Sequence, residues 1–402
     1  MKKILFHSLT IPPDNVSTGM LVAEIADGFK ELGVDVEILA SSPQYNIENS
    51  KNLTSDKYYT SSYKDINITH ISSASRSFNK VTRFFQWIMF HYQTIKFLSK
   101  NKKNYSHIFI FSYPPTMNLV VIYIKKFLKI KVTYSCWELY PEIANKTLKT
   151  NSGILFNIFK KIDTYAMKLA DNLVVNSSEL KTFLINNRGL IDKDIKSIYH
   201  FSPYEISNEN PNLDKKTILY AGNMGKPQNI KRFIDTFNSI EEKNWKLKFF
   251  GAGEEFDSIK DLESDQLNVF EHLPRNELYD KTKEIPVGLI SLDKEITVEG
   301  FPGKTFDYLS MNKILLCFAN SDSAVSKFIE KYELGFTIDP YDETSMKKIF
   351  DKLNDQSLLL KYQKNINNLN KNILNKSKVV EDYYSLISVS YTHLRAHETN
   401  SN

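Results

Sequence analysis

Short β-rich runs alternate with longer amphipathic runs along most of this 402-residue chain, and no other feature limits its fold as strongly. The residue pattern predicts strands at Lys3–Ser8, Val34–Ala40, Ile66–Ile71, Ile108–Ser112, Lys131–Ser135, Asn172–Val175 and Ile195–Tyr199. Helices are predicted at Met20–Leu32, where Gly33 is the stop, and near 79–100, 116–128, 153–170 and 178–187. Parallel strands need crossover helices, so this order implies a parallel sheet with helices on both faces. Residues 202–216 carry two prolines in a polar run and read as a linker. The alternation then restarts, with strands at Thr217–Ala221, Lys246–Phe250, Val269–Glu271, Val287–Ser291, Lys313–Ala319 and Gly335–Ile338. Helices follow near 229–240, 275–283, 304–311, 323–332, 344–354 and 357–374.

The expected architecture is therefore α/β, with two Rossmann-like domains, 1–201 and 217–376, facing each other across a cleft. A helix at about 377–388 is expected to pack back on the first domain. Ligands in such sheets bind beyond the carboxyl ends of the strands, which directs attention to those loops. The last residues, Ser388–Asn402, fit nothing before them and read as a non-native tail, so His393 and His397 are left out of any site argument.

Composition excludes several classes. With 42% hydrophobic and 25% charged residues the chain is neither disordered nor low-complexity. Cys136 and Cys317 are too far apart in sequence to suggest a disulfide framework or a paired-cysteine zinc site, and fit a reducing cytoplasm. Met1-Lys2-Lys3 runs directly into Ile4-Leu5-Phe6, too short for a secretory signal core. The uncharged run Asn104–Ile124 contains Pro114-Pro115, which separate a strand from a helix, so no transmembrane segment is expected.

The net charge of +5 conceals an asymmetry: residues 1–201 carry +10 and residues 202–402 carry −5. No acid occurs in 66–137, which hold Arg76, Lys80, Arg83, Lys96, Lys100, Lys102, Lys103, Lys125, Lys126, Lys129 and Lys131. Such a stretch suits an anionic partner, with a merely solvated face as the plain alternative. Within it Val81, Phe84, Phe85, Ile88, Tyr92, Ile95 and Leu98 follow helical spacing, and Trp87, Phe90 and Phe97 widen the stripe. That helix reads equally as an interfacial membrane helix and as a core helix with a generous apolar face.

Three glycine-containing loops of the second domain carry the chemistry. Gly222-Asn223-Met224-Gly225-Lys226 follows its first strand, Gly251-Ala252-Gly253 the next, and Glu299-Gly300-Phe301-Pro302-Gly303-Lys304-Thr305 leads into a helix. Glycine lets backbone approach a ligand, and a helix start with free N–H groups favours anionic oxygens. Lys304 adds a point charge, so together these loops describe a pyrophosphate pocket. Glu299 and Asp307 flank it, one placed for sugar hydroxyls and the other for ribose hydroxyls; ordinary helix capping is the alternative. A dinucleotide fingerprint is incomplete because Phe256 stands at its third glycine position, no Walker A sequence is present, and Asp192-Lys193-Asp194 sits in a polar turn.

These residues resemble family-4-type retaining glycosyltransferases of the GT-B fold, nearest to bacterial capsule and O-antigen sugar transferases. The resemblance spans residues 1 to about 387 and is strongest in 217–320. Tyr220–Gln228 is similar to the opening of that family's donor domain, Phe301-Pro302-Gly303-Lys304 to its phosphate loop, and His272-Leu273-Pro274 to its base-side loop. Glu299 and Asp307 match its two-acid motif, with Asp in place of the usual second Glu. Cys136-Trp137-Glu138-Leu139-Tyr140-Pro141-Glu142 resembles the acceptor-side segment. Asn223 and Gln228 stand where many relatives carry Arg and Lys, which leaves Lys226 and Lys304 as the candidate cations. The first loop, Pro12–Gly19, has one glycine where relatives often have two.

The resemblance implies a hexosyl- or N-acetylhexosaminyltransferase acting with a nucleotide-diphosphate donor, a UDP-sugar, on a polyprenyl-diphosphate-linked acceptor at the anionic inner membrane face. It implies no cofactor, no metal and no nucleic acid. Glu299, Lys304 and Glu138 are the implied catalytic set. Gly222, Asn223, Lys226, Gly251, Gly253, His272, Leu273, Phe301, Pro302, Gly303, Thr305 and Asp307 are implied for the donor, and Ser17, Thr18, Gly19 and Glu142 for the acceptor. The alternatives are a sugar-nucleotide epimerase of the same fold and a non-catalytic lipid- or partner-binding relative.

Overall fold

A computed structural model describes residues 2–14, 16–43, 58–71, 79–148, 153–240, 244–340 and 342–398; the side chains of Lys80, Glu343 and residues 389–398 are outside the description. Arg76 and the tail histidines thus lie outside the described side chains. The chain forms two compact units. The first is Met1–Glu142, Asn151–Pro203 and Lys376–Asn402; the second is Ile143–Thr150 and Tyr204–Asn375.

The first unit is built on an eight-stranded sheet: β1 Lys3–His7, β2 Val36–Ser41, β3 Tyr58–Tyr63, β4 Ile66–Ile71, β5 Tyr105–Phe111, β6 Lys131–Cys136, β7 Asn172–Val175 and β8 Ile195–Ser197. The spatial order is β3-β4-β2-β1-β5-β6-β7-β8. All pairs are parallel except β3 with β4. The antiparallel edge strand β3 was not predicted: Thr60, Ser61 and Ser62 are polar and give no apolar alternation. Phe6 and Phe109 stack at 4.8 Å on adjacent strands, and Phe29 of the helix Ser17–Glu31 meets both edge-on.

The helix Lys376–Glu398 belongs to this unit. Val379, Val380, Tyr383 and Ile387 enter the core around Phe29. Gly28 is what lets the two helices touch, since a Cβ there would lie 2.4 Å from a Val380 methyl. Lys376 bridges Glu24 and Glu31 at 3.1 and 3.2 Å and also reaches Asp27.

Helix Lys80–Asn101 buries only part of its predicted apolar stripe. Phe90, His91, Thr94 and Leu98 are buried, while Val81, Phe84, Phe85, Ile88, Met89 and Tyr92 are exposed. The stripe predicted from spacing faces mainly outward at its amino-terminal end. Ile154, Leu155, Ile158 and Phe159 of the helix Ile154–Leu169 and Phe127 are exposed as well. No helix among the described residues is long and apolar enough to cross a membrane.

The second unit carries a six-stranded, fully parallel sheet: β9 Thr217–Asn223, β10 Lys246–Ala252, β11 Leu267–Glu271, β12 Val287–Ser291, β13 Ile314–Phe318 and β14 Gly335–Ile338. Its order is β11-β10-β9-β12-β13-β14. The chain therefore winds outward from β9 in one direction and from β12 in the other, and the reversal lies between these two neighbours. That reversal opens a crevice at their carboxyl ends, the standard ligand position in such sheets. The polar segment predicted as a linker is mostly part of this unit, where Ser207 N–H donates to the Ser310 carbonyl at 2.7 Å and Asn312 to the carbonyls of Ser207 and Glu209.

Candidate active site

The three predicted loops meet at the carboxyl edge of this second sheet. Near the end of β9 stands Gly222, whose φ of +135° suits glycine alone, and Gly251 near the end of β10 lies so close that a Cβ would sit 2.0 Å from the Gly222 carbonyl oxygen. Gly253, also at positive φ, packs as tightly against Met224. The helix Lys304–Ser310 is anchored to the same strands. Gly288 on β12 leaves room for the Tyr308 ring, and the Tyr308 hydroxyl accepts the Ala221 N–H at 2.7 Å.

This anchoring fixes Lys304. Its Nζ lies 3.6 Å over the Tyr220 ring and against Gly222, is buried, and has no hydrogen-bond partner among the described residues. Desolvation lowers its pKa to about 7, only partly opposed by the Asp307 charge. Thr305 Oγ1 beside it in sequence and Ser291 Oγ at the end of β12 are also buried without partners. Buried polar groups are nearly always paired, so an unpaired buried amine at the carboxyl edge of the sheet is a site prepared for an outside acceptor.

One part of the expected cradle is corrected. The N–H groups of Thr305, Phe306 and Asp307 are not free: they turn back to the Pro302 and Gly303 carbonyls at 3.0, 3.0 and 3.4 Å. The helix is also only seven residues long. Positive charge here comes from the Lys304 side chain.

Both predicted carboxylates have basic partners that sequence reasoning missed, which corrects the expectation that Lys226 and Lys304 are the only candidate cations. Asp307 meets Arg275 at 3.2 Å, and the Arg275 guanidinium lies 3.8 Å over the Tyr204 ring. Glu299 is 1% exposed; its Oε2 accepts the Thr297 N–H at 3.0 Å and its Oε1 meets Lys146 Nζ at 2.7 Å. Arg275 directly follows the segment His272-Leu273-Pro274 and could have been found there. Nothing in the sequence announces Lys146.

The remaining predicted residues divide. Phe301 is buried against Phe306 and Phe328, a packing role, with Pro302 and Gly303 half-buried in the loop. His272 is exposed and Leu273 half-buried just ahead of the helix Arg275–Thr282. Asn223 is exposed and donates to Gln228 at 3.0 Å, and Lys226 is exposed.

In the first unit Glu138 follows β6. Burial pushes its carboxyl up, Tyr140 donates to it at 2.7 Å, and its N–H binds Ser112 Oγ. Glu142 is held by Arg188 through two contacts of 2.9 and 2.6 Å, within a buried group that includes Asp163. Its carboxylate is thus spent on structure, which removes it from the acceptor side. Ser17 and Thr18 open the helix Ser17–Glu31, and Gly19 packs on the Thr10 carbonyl. Among the described residues no three His, Cys, Asp or Glu side chains gather as a metal site.

Residues 203–372 match the family described as Glycosyl transferases group 1. A "Probable glycosyltransferase WbjE" of Pseudomonas aeruginosa is 21% identical over 236 residues, covering 54% of this chain. The chain spans 58% of the length of that curated relative. Among solved structures, sucrose-phosphate synthase from Thermosynechococcus elongatus is similar with a TM-score of 0.77 at 11% identity, covering 98% of this chain and 100% of that one. Anabaena Alr3699/HepE in complex with UDP and glucose gives 0.68 at 11% identity, covering 96% and 100%. The fold is thus an α/β arrangement of two parallel-sheet domains of the GT-B kind, and the family match falls on the second of them.

Proposed function

We propose that this protein is a retaining glycosyltransferase that moves a sugar from a nucleotide-diphosphate donor, a UDP-sugar, to a lipid-linked saccharide acceptor in bacterial surface polysaccharide synthesis. The observation that carries the reading is the buried, unpartnered amine of Lys304 at the reversal between β9 and β12. The matched family and the UDP and glucose bound by the Anabaena neighbour support it.

In transfer the bond from the anomeric carbon to the diphosphate breaks, a bond to the acceptor oxygen forms, and charge collects on the departing diphosphate. A preorganised cation at that point stabilises the transition state more than the ground state. Lys304 is that cation, and it supplies the charge compensation that a metal ion would otherwise give. Glu299 holds the sugar hydroxyls and Asp307 the ribose. Gly222 and Gly251 admit the phosphates to the backbone, and His272 and Leu273 flank the base. Glu138 is assigned to the transferring sugar, and Ser17–Gly19 to the acceptor.

The exposed Phe84, Phe85, Ile88 and Phe127, set among the basic residues of an acid-free stretch, suit an anionic lipid surface that carries the acceptor. Binding to anionic vesicles that falls with added salt is the expected result; binding that ignores both anionic lipid and salt would count against an anionic surface as partner.

The central test is a panel of nucleotide sugars screened by thermal shift, since a ligand bound to the folded state raises its stability. The stabilising donor is then incubated with and without acceptor. Transfer with the anomeric configuration retained is expected; interconversion of the donor sugar with no acceptor would make the protein an epimerase.

A further inference from the structure

The ion pair between Glu299 and Lys146 is a closed set of bonds with an opening on one side. Lys146 lies on the helix Glu142–Leu148, whose residues from Ile143 onward belong to the second unit. The helix reaches the Glu299 loop because residue 300 is glycine: a Cβ there would stand 3.0 Å from Ile143 Cδ1. Lys146 Nζ donates to Glu299 Oε1 at 2.7 Å and to Thr297 Oγ1 at 3.2 Å, and the Thr297 hydroxyl in turn donates to Glu299 Oε2 at 3.3 Å. The Thr297 N–H also binds Oε2.

An ammonium has three N–H donors and a carboxylate about four acceptor positions. Among the described residues two of the donors and three of the acceptor positions are occupied, so one N–H on Lys146 and one lone pair on Glu299 remain. The Glu299 side chain is 1% exposed and that of Lys146 29%, so a ligand meets this set from the lysine side.

From this geometry we propose that Lys146 is a specificity-determining residue of the donor site: it fixes the Glu299 carboxylate and, with it, reads a pair of neighbouring hydroxyls on the transferred sugar. One hydroxyl accepts from the ammonium and the other donates to the carboxylate. A vicinal diol satisfies both remaining positions at once, whereas an uncharged stretch of ring leaves a buried charge unsolvated. The inference rests on the donor reading above. It adds a residue outside the segment that matches the glycosyltransferase family, residues 203–372.

Binding calorimetry on the full chain separates the two. The probes are UDP, which lacks the sugar, and UDP-glucose, UDP-galactose and UDP-N-acetylglucosamine. For Lys146→Met the affinity for UDP stays within twofold of the unaltered protein, while the affinity for the preferred UDP-sugar falls about tenfold or more. Its preference among the three sugars flattens as well. Lys146→Arg, which keeps the charge, recovers part of the loss. Equal losses for UDP and UDP-sugar would make Lys146 a purely structural residue, and no loss for either would remove it from the site; both overturn the proposal. Thermal unfolding of the two variants accompanies the measurement, and a Lys146→Arg protein that folds normally but shows no sugar-dependent change also overturns it. Absence of UDP binding by the unaltered chain is a different result, which ends the donor reading itself.

Discussion

Lys304 opens the helix Lys304–Ser310 and Lys313 directly precedes β13, both with buried amines, and their surroundings differ in one respect. Lys313 Nζ donates to the carbonyls of Thr282 and Ile285, each at 2.7 Å, and ties two segments together. Lys304 Nζ has an aromatic ring beneath it and no acceptor. Burial lowers both pKa values to about 7. Burial and pKa therefore do not distinguish a structural lysine from a ligand's lysine; the presence of internal acceptors does.

The contrast breaks most sharply on substitution. Lys304→Ala is expected to reduce turnover by roughly ten- to a thousand-fold, the loss of one preorganised electrostatic donor. Its thermal midpoint should be unchanged or higher, because an unpaired buried amine is removed. Steady-state kinetics and a melting curve check both halves, and wild-type turnover would take Lys304 out of the chemistry. Lys313→Met should show the opposite pattern. It leaves two carbonyls buried without a donor, at a cost of roughly 2–4 kcal/mol, readable in denaturant unfolding, with donor affinity of the folded fraction preserved.

Proton linkage sharpens the comparison. In the unfolded chain a lysine keeps its proton to about pH 10.4, whereas either amine in the folded protein releases it near 7. Between those values the unfolded state binds more protons, so each group makes stability rise with pH; below about 7 the full cost of a buried charge is present. Saturating UDP should restore the proton to Lys304 and abolish its share of the slope, leaving that of Lys313. Above pH 7, calorimetry in buffers of different ionisation enthalpy should record uptake of up to about one proton per UDP bound, and none in Lys304→Ala. The smallest effect is expected for Arg275→Lys, which loses the stacking on Tyr204 and the planar fork toward Asp307; KM for the donor should rise a few-fold with kcat little changed.

Regular elements were legible because their signals are local. Ile66–Ile71, Asn172–Val175, Val287–Ser291 and Gly335–Ile338 have the bounds that their β-rich composition predicts. The spacing of Glu299, Lys304 and Asp307 likewise placed one loop and one helical turn. Tyr58–Tyr63 was invisible because a polar edge strand owes its existence to pairing with β4 rather than to its own pattern. On Lys80–Asn101 periodicity identified residues sharing a face but not what that face meets. Lys146 and Arg275 escaped for a related reason: an ion pair is made by the fold, and neither acid carries a mark of its partner. The helix start showed the reverse error, since the sequence suggested free N–H groups and the turn at Pro302 and Gly303 consumes them.

The return of residues 376–387 to the helix Ser17–Glu31 has a consequence for how the protein is made. A ribosome delivers the first unit's sheet before the second unit's, yet the groove lined by Gly28 and Phe29 stays open until residues 376–387 have followed both. The second unit, delivered between these two events, can mature first. The nascent amino-terminal portion must wait with an apolar surface bare, the interval in which a holding chaperone would be most needed.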